Sequence, residues 1–249
     1  MIQLKNREQL ELMRQAGRIT GEALLKAGEA VREGVTTRKL DGIIRAYIES
    51  CGAIPSFLGY GGFPSSACIS VNDEVIHGIP SDRVLQEGDI VKIDVGACYR
   101  GYHGDSARTF PVGRVSAEAK RLITATRDSF YKAIEKAVPG NRLGDIGHAV
   151  ESHVTEFGYS VVRQYVGHGI GRSLHEQPDV PNYGKPGHGP RLMRGMVLAV
   201  EPMVNVGAPE VRVLQNGWTV VTVDGSLSAH FEHTVAITED GPVLLTDVE

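Results

Sequence analysis

A chain of 249 residues and 26.9 kDa, 41% hydrophobic and 22% charged, has ample material for a core; a globular protein of this size buries roughly 70% of the surface its unfolded form exposes. Its 30 glycines exceed the usual share of about 7% but show no collagen period and no linker run, so disorder, collagen and coiled coil are excluded. The net charge of −4 lacks the basic surplus of a nucleic-acid-binding domain.

Between Glu8 and about Arg32 the residues Leu12, Ile19, Ala23, Leu24, Ala27 and Val31 recur at helical spacing, and Gly34 ends that helix. Thr37 is the expected cap of a second helix carrying Leu40, Ile43, Ile44, Tyr47 and Ile48. A loop from Pro55 to Pro64 leads to short β-branched runs at Ala67–Val71 and Ile90–Val95. Ser116 opens a third helix to about Ala137, and Leu143–Phe157 repeats the pattern. Strands return at Val197–Val200, Trp218–Val223 and Thr234–Thr238. Helix pairs followed by strands, twice over, indicate an α+β fold with an antiparallel-rich sheet. Three cysteines (Cys51, Cys68, Cys98) without CxxC spacing suggest neither a disulfide framework nor a thiolate zinc site. No apolar run approaches the ~20 residues of a membrane span, and MIQLKNREQLELMRQAG lacks a signal h-region, so a cytoplasmic location is expected.

The second half echoes the first. VREGVTTRKLDGIIRAYIESCGAIP lies over VPGNRLGDIGHAVESHVTEFGYSVV, with Gly34 on Gly140 and Leu40 on Ile146. LQEGDIVKID aligns without gaps on LMRGMVLAVE, His77-Gly-Ile echoes His168-Gly-Ile, and His103-Gly-Asp105 resembles His230-Phe-Glu232. The common order indicates one domain, residues 1–249, built from halves at about 7–112 and 116–245.

If the halves superpose, Asp94 pairs with Glu201 and Asp105 with Glu232 at corresponding strand ends. Ten residues separate Asp94 from Asp105, which suits two adjacent strands joined by a turn with both carboxylates on one side. Four carboxylates converging between the halves would repel strongly, since two charges 4 Å apart cost about 4 kcal/mol at an effective dielectric near 20. Divalent cations are the natural remedy, with His168 as a neutral imidazole ligand. Five such ligands hold two ions only if carboxylates bridge, leaving positions for water or substrate, as in a two-metal hydrolase. Taken singly, His77 among apolar residues reads as a packed core histidine and His175 as a surface-loop histidine. His103, His188, His230 and His233 read as supporting or structural, and Tyr60, Phe63 and Trp218 as core.

The segments VNDEVIHGIP, VKIDVG with GYHGDSARTF, YVGHGIGRSLHEQP, VLAVEPM and SAHFEHTVAI, in this order, resemble the bacterial type I methionine aminopeptidases of peptidase family M24. The likeness runs from Arg7 to about Leu245 and implies the pita-bread (creatinase/aminopeptidase) fold, two pseudo-symmetric halves around a curved antiparallel sheet. It implies a hydrolase removing N-terminal methionine before a small second residue. By that likeness Asp94, Asp105, His168, Glu201 and Glu232 hold two divalent ions (Co, Mn, Fe or Zn), Asp105 and Glu232 bridging them. Glu201 is then the general base, His175 stabilises the oxyanion and His77 assists the leaving amide. Phe57, Tyr60, Phe63, Cys68, Leu174 and Trp218 form the methionine pocket. A monovalent cation (Na or K) near Asn72 and Ser228 belongs to the same expectation. The implied partners are nascent polypeptide N-termini near the ribosome, with no stable nucleic acid, no membrane and a monomeric chain. Phe57 and the PNYGKPGHGPRL loop resemble the Gram-positive branch. The competing readings are an X-Pro aminopeptidase or prolidase, whose relatives generally carry a further N-terminal domain, and a non-catalytic binding module, which should have lost metal ligands.

Overall fold

The computed structural model describes residues 1–248. Two helices open each half. Helix α1 (Arg7–Glu29) starts at a capping box in which Asn6 and Gln9 satisfy each other's backbone N–H. Helix α2 (Thr37–Ser50) is capped by Thr36, one residue before the expected cap. Thr37 is drawn aside instead, its hydroxyl donating to Ser81 O and accepting from Ser81 N. The strands β1 (Ile54–Pro55), β2 (Ala67–Val71), β3 (Glu74–Ile76), β4 (Ile90–Tyr99) and β5 (Tyr102–Pro111) follow. The second half repeats the order with α3 (Ala117–Ile134), capped by Ser116, and α4 (Leu143–Glu156). Then come β6 (Ser160–Val161), β7 (Gly167–Gly169), β8 (Glu176–Val180), β9 (Val197–Val200) and β10 (Met203–Asn205). The last strands are β11 (Val211–Val213), β12 (Val220–Thr222), β13 (Ser228–His230), β14 (Glu232–Thr238) and β15 (Gly241–Leu244).

A nine-stranded antiparallel sheet runs β1-β4-β5-β14-β9-β7-β8, with β2 also on β4 and β15 on β14. The join between halves is the β5–β14 pairing, where Ala107 opposes Glu232 and Ser106 opposes His233. Two three-stranded sheets, β13-β10-β6 and β11-β12-β3, complete the molecule. Helices α1 and α2 pack Ile19, Leu24, Leu40, Ile44 and Ile48 against Ile69, Val91, Ile93 and Val95. Helices α3 and α4 pack Leu122, Phe130, Ile146 and Val150 against Leu198, Val200, Val235 and Ile237.

The strand entrances of the two halves carry matching bonds. Gly34 N–H donates to Leu85 O and Gly140 N–H to Leu192 O, each glycine at a positive φ (84° and 99°). Gly88 N–H donates to Val112 O and Gly195 N–H to Ile237 O. Between β4 and β5, Tyr99 opposes Tyr102 across the two-residue loop Arg100-Gly101, whose φ values of 50° and 78° suit a type I′ hairpin.

Helix α1 lies flush on β5. A Cβ built on Gly104 would meet Gly17 Cα at 2.7 Å and Gly17 N at 2.8 Å. No side-chain rotation relieves a backbone clash, so Gly104→Ala is expected to lower stability by about 1–3 kcal/mol or more. Gly42, on α2, faces open space at an ordinary φ, and Gly42→Ala should instead stabilise by about 0.5–1 kcal/mol. Urea unfolding of the two variants checks the pair; equal effects would overturn this account of the α1–β5 contact.

Candidate metal centre and active site

Sheet register places the acidic side chains. Cys68 opposes Asp94, Asp94 opposes Ala107, and Ala107 opposes Glu232, so the four form one row across β2, β4, β5 and β14. Asp105 precedes Ala107 by two residues and faces the same side. His168 opposes Ala199, which opposes Thr234, two residues beyond Glu232. Glu201, two beyond Ala199, completes the group. The halves are tied at this point: Thr234 Oγ1 accepts from Asp105 N at 2.9 Å and donates to Asp105 O at 2.8 Å, and Ser106 Oγ donates to Glu232 O at 2.8 Å.

His168 Nδ1 lies 2.9 Å from its neighbour's carbonyl, Gly169 O, and donates to it. That leaves the Nε2 lone pair facing Asp105 Oδ2 at 3.9 Å and Glu201 Oε1 at 3.7 Å. Burial pulls the ring down to about 3, so it is neutral, as a metal ligand must be. Asp105 and Glu232 are 4% and 2% exposed. Asp94 and Glu201 keep slightly more exposure toward the cavity, although Asp94 Oδ1 is buried. Burial, reinforced by the neighbouring carboxylates, pushes Asp105 and Glu232 well above the usual range. Burial raises Asp94 to about 7 and Glu201 to about 8.

This donor set fits a divalent metal. Asp94 Oδ1, Asp105 Oδ1 and Glu232 Oε1 are buried without any hydrogen-bond partner, an expensive arrangement unless a cation completes it. Ligand atoms of Asp105, His168 and Glu232 all lie within 4.8 Å of one another. Burial, then Asp94 and Asp105, keep the Cys68 thiol protonated, so the donors are carboxylate and imidazole. A monovalent cation does not fit at Asn72, whose carbonyl oxygen already accepts Lys92 Nζ at 2.7 Å and Ser228 N at 3.1 Å.

All thirteen residues expected at the site line one cavity of about 150 Å3. Asp94, Asp105, His168, Glu201 and Glu232 line its acidic part. Phe57, Phe63, Cys68 and Leu174, each less than a tenth exposed, and the half-buried Trp218 supply its apolar lining. Phe63 meets Trp218 edge to face at 5.1 Å. His175 and Tyr60 are exposed at the rim, with His175 Nδ1 2.7 Å from the Tyr60 hydroxyl. His77 takes a left-handed backbone (φ 57°) that a histidine rarely adopts, and burial lowers its ring to about 4. His103 bonds Ser56 Oγ at 2.8 Å, His188 the carbonyl of Pro186 at 2.9 Å and His233 the Thr246 hydroxyl at 2.8 Å.

Two neighbours lie outside the set expected to line the site, since His230 reads as supporting or structural and Tyr165 is not singled out. His230, 1% exposed, brings Nε2 to 3.6 Å from Glu201 Oε2, and its position two residues before Glu232 was the available signal. Tyr165 sets its ring edge-to-face on His77 at 5.8 Å, and nothing in YVGHGI distinguishes it from a core tyrosine.

The sequence model of metallopeptidase family M24 matches residues 11–239. The chain belongs to this family. The methionine aminopeptidase of Clostridium acetobutylicum is 58% identical over 247 residues, 99% of each chain, and methionine aminopeptidase 1 of Bacillus subtilis is 52% identical over all of both. The crystal structure of the Thermotoga maritima methionine aminopeptidase matches at a TM-score of 0.98 and 45% identity over 100% of each chain. Prolidase from Pyrococcus furiosus matches at 0.79 and 25% identity, covering 99% of this chain but 66% of its own. Among M24 peptidases this chain is therefore a metallo-aminopeptidase with the pita-bread fold, and its buried Asp/His/Glu group binds divalent metal.

The raised carboxylates make the metal-free protein pH-sensitive. Folded, they keep protons that the unfolded chain loses near pH 4, so their contribution to stability declines as pH rises toward 8. The depressed His77, His168 and His230 act oppositely, but only below about pH 6.5. Chelator-treated protein should therefore lose thermal stability between pH 6.5 and 8.5, and excess Mn2+ should flatten that slope by occupying the carboxylates. A slope unchanged by Mn2+ in differential scanning calorimetry would contradict the assigned ligand cluster.

Proposed function

We propose that the chain removes methionine from the N-termini of peptides and nascent proteins whose second residue is small. The observation that carries this reading is the single cavity in which an apolar, sulfur-and-aromatic wall meets the carboxylate–imidazole cluster. A flexible thioether suits a wall of Phe57, Phe63, Cys68, Leu174 and Trp218. With the side chain in that pocket, the free α-amine falls at the Asp94 side of the acidic cluster, which restricts the enzyme to chain ends.

Asp94, Asp105, His168, Glu201 and Glu232 would hold two divalent ions, of which Co, Mn, Fe and Zn all suit the donors. The bound metal supplies Lewis acidity and activates water at neutral pH. Glu201, its affinity for protons raised by burial, takes the proton of the attacking water. The ring nitrogens His230 Nε2 and His168 Nε2 lie 3.6 Å and 3.7 Å from the carboxylate that performs this step. Tyr60 O–H donates to His175 Nδ1, which leaves the ring proton on Nε2 to stabilise the developing oxyanion. His77, held between Trp218 and Tyr165, meets the amide nitrogen beyond the scissile carbonyl and helps protonate it.

The same reading makes residues 1–249 one catalytic domain with related halves, 7–112 and 116–245. The equivalent bonds of Gly34 and Gly140, and of Gly88 and Gly195, support it. It places the enzyme in the cytoplasm as a monomer acting on emerging chains. Three free cysteines and the lack, among the described residues, of a helix long and apolar enough to cross a membrane accord with that placement.

Met-Ala-Ser should be hydrolysed and Met-Leu and X-Pro peptides spared; cleavage of X-Pro but not of Met-Ala-Ser would overturn the assignment. Glu201→Ala should cost about 10²–10⁴ in kcat while the circular dichroism spectrum persists. His175→Ala should cost about 10²–10³ in kcat with little change in KM.

A further inference from the structure

Lys92 is the one lysine among the largest fully buried side chains, 1% exposed in the middle of β4, on the same face as Asp94 two residues away. A buried ammonium or amine far from water is costly, and such groups normally sit in an ion pair. Here the hydrogen bond it makes is to a backbone carbonyl, Nζ to Asn72 O at 2.7 Å. Asp73, Glu74 and Asp89 act on it at longer range.

The acceptor is held in place by a dedicated arrangement. Asn72 takes a left-handed backbone (φ 58°), which turns its carbonyl. Its side chain secures that turn, donating to Asp89 Oδ1 at 2.8 Å and accepting Ile90 N at 3.0 Å, while Asn72 N donates to Ile90 O at 2.9 Å. Ser228 N, at the start of β13 in the other half, donates to the same carbonyl at 3.1 Å. A carbonyl oxygen has two lone pairs, and Lys92 and Ser228 take both. Nothing is left there for an ion. Ser228 Oγ is likewise engaged, donating to Val204 O at 3.2 Å.

We propose that Lys92 is a built-in substitute for a monovalent cation at the Asn72–Ser228 junction, tethering β4 to the turn that meets β13, so that the protein needs no Na+ or K+ for its fold or its metal centre. The location makes the tether matter for the site. Strand β13 ends in His230, whose Nε2 faces Glu201, and β4 carries Asp94 one pleat beyond Lys92. The strand partners of Lys92 are Ser70 and Thr109, and the Thr109 hydroxyl holds His230 through both its N (2.9 Å) and its O (2.8 Å). Truncating Lys92 therefore opens a hole bordered by oxygen-bearing groups and the freed carbonyl, which is what a hard monovalent ion requires.

The test compares the Mn2+-loaded protein in NaCl, KCl and choline chloride at equal ionic strength, reading the thermal midpoint and kcat for Met-Ala-Ser. For the unmodified protein the three salts should give superimposable midpoints and rates; a saturable rise with Na+ or K+ above the choline baseline would overturn the proposal. Lys92→Ala should fall by several degrees in choline chloride and recover at least half of that loss, saturably, in NaCl or KCl. Lys92→Met, which refills the hole without a donor, should be destabilised and show no choice between the salts. A folded Lys92→Ala protein indifferent to the cation would also overturn the proposal, and if that variant does not fold, the salt series on the unmodified protein decides alone.

Discussion

Four carboxylates gathered where two halves of a sheet join are the constraint around which this molecule is arranged. In the metal-free chain their burial is unfavourable on every count: desolvation, mutual repulsion and oxygens without donors. The surrounding structure holds them in position regardless. Thr234 and Ser106 bond main-chain groups of the opposite half beside Asp105 and Glu232, so the ligands are fixed through their backbones while their carboxylate oxygens stay available. The instability is local and the function depends on it, since a divalent ion binds most favourably where charge is already concentrated.

The apolar part of the site follows a different logic. Register alone sets the acidic floor, but Phe57, Tyr60, Phe63, Leu174 and His175 come from the loops beyond β1 and β7. Loops accept changes of side chain that a paired strand does not. The carboxylates thus come from paired strands or just beyond them and most of the apolar wall from loops, the two meeting in a cavity of about 150 Å3. The Tyr60–His175 bond links the two loops, joining the pocket rim to the group placed for the oxyanion.

Much of this was legible in the sequence because it rests on period and order. All four helices fall where their apolar spacing puts them, and the strands at Ala67–Val71, Val197–Val200 and Thr234–Thr238 lie within observed ones. The strand at Ile90–Val95 is longer than its β-branched run, since Gly96, Ala97 and Cys98 carry no strand signal but continue the ladder with Asp105, Gly104 and His103. Strands β7 and β8 were invisible for a similar reason: Gly167-His168-Gly169 and Glu176–Val180, with Pro178 inside it, read as loop and become strand only through pairing with each other and with β9. Of the site, the gathering of Asp94, Asp105, His168, Glu201 and Glu232 was readable from the repeated frame, while His230 reads as supporting or structural and Tyr165 is not singled out, because contact with Glu201 and with His77 is made by tertiary packing. Lys92 was hidden most completely. A single lysine in VKIDVG gives no hint that its amine is buried against the carbonyl of Asn72, because that contact forms only when the sheet does.

Dependence on register has a consequence for how the first half is built. Side chains alternate across a strand, so a slip of one residue between β4 and β5 would turn one strand's carboxylate from the cavity into the helix-covered face. Asp94 and Asp105 stay together only because the hairpin loop holds two residues, Arg100 and Gly101, both at positive φ. Among the described residues the other two left-handed positions besides glycine, Asn72 and His77, flank β3 close by, one presenting its carbonyl to Lys92 and the other its ring to the cavity. Backbone strain in this protein is thus concentrated in the turns of the first half that aim groups at the centre. The second half reaches the same centre with Gly167, Gly169 and Gly171, where a Cβ would strike neighbouring atoms at 2.3 to 2.5 Å, and so by close approach instead of strain. The two halves of the sheet thus meet one geometric demand by different local means, turn strain in the first and close backbone approach in the second.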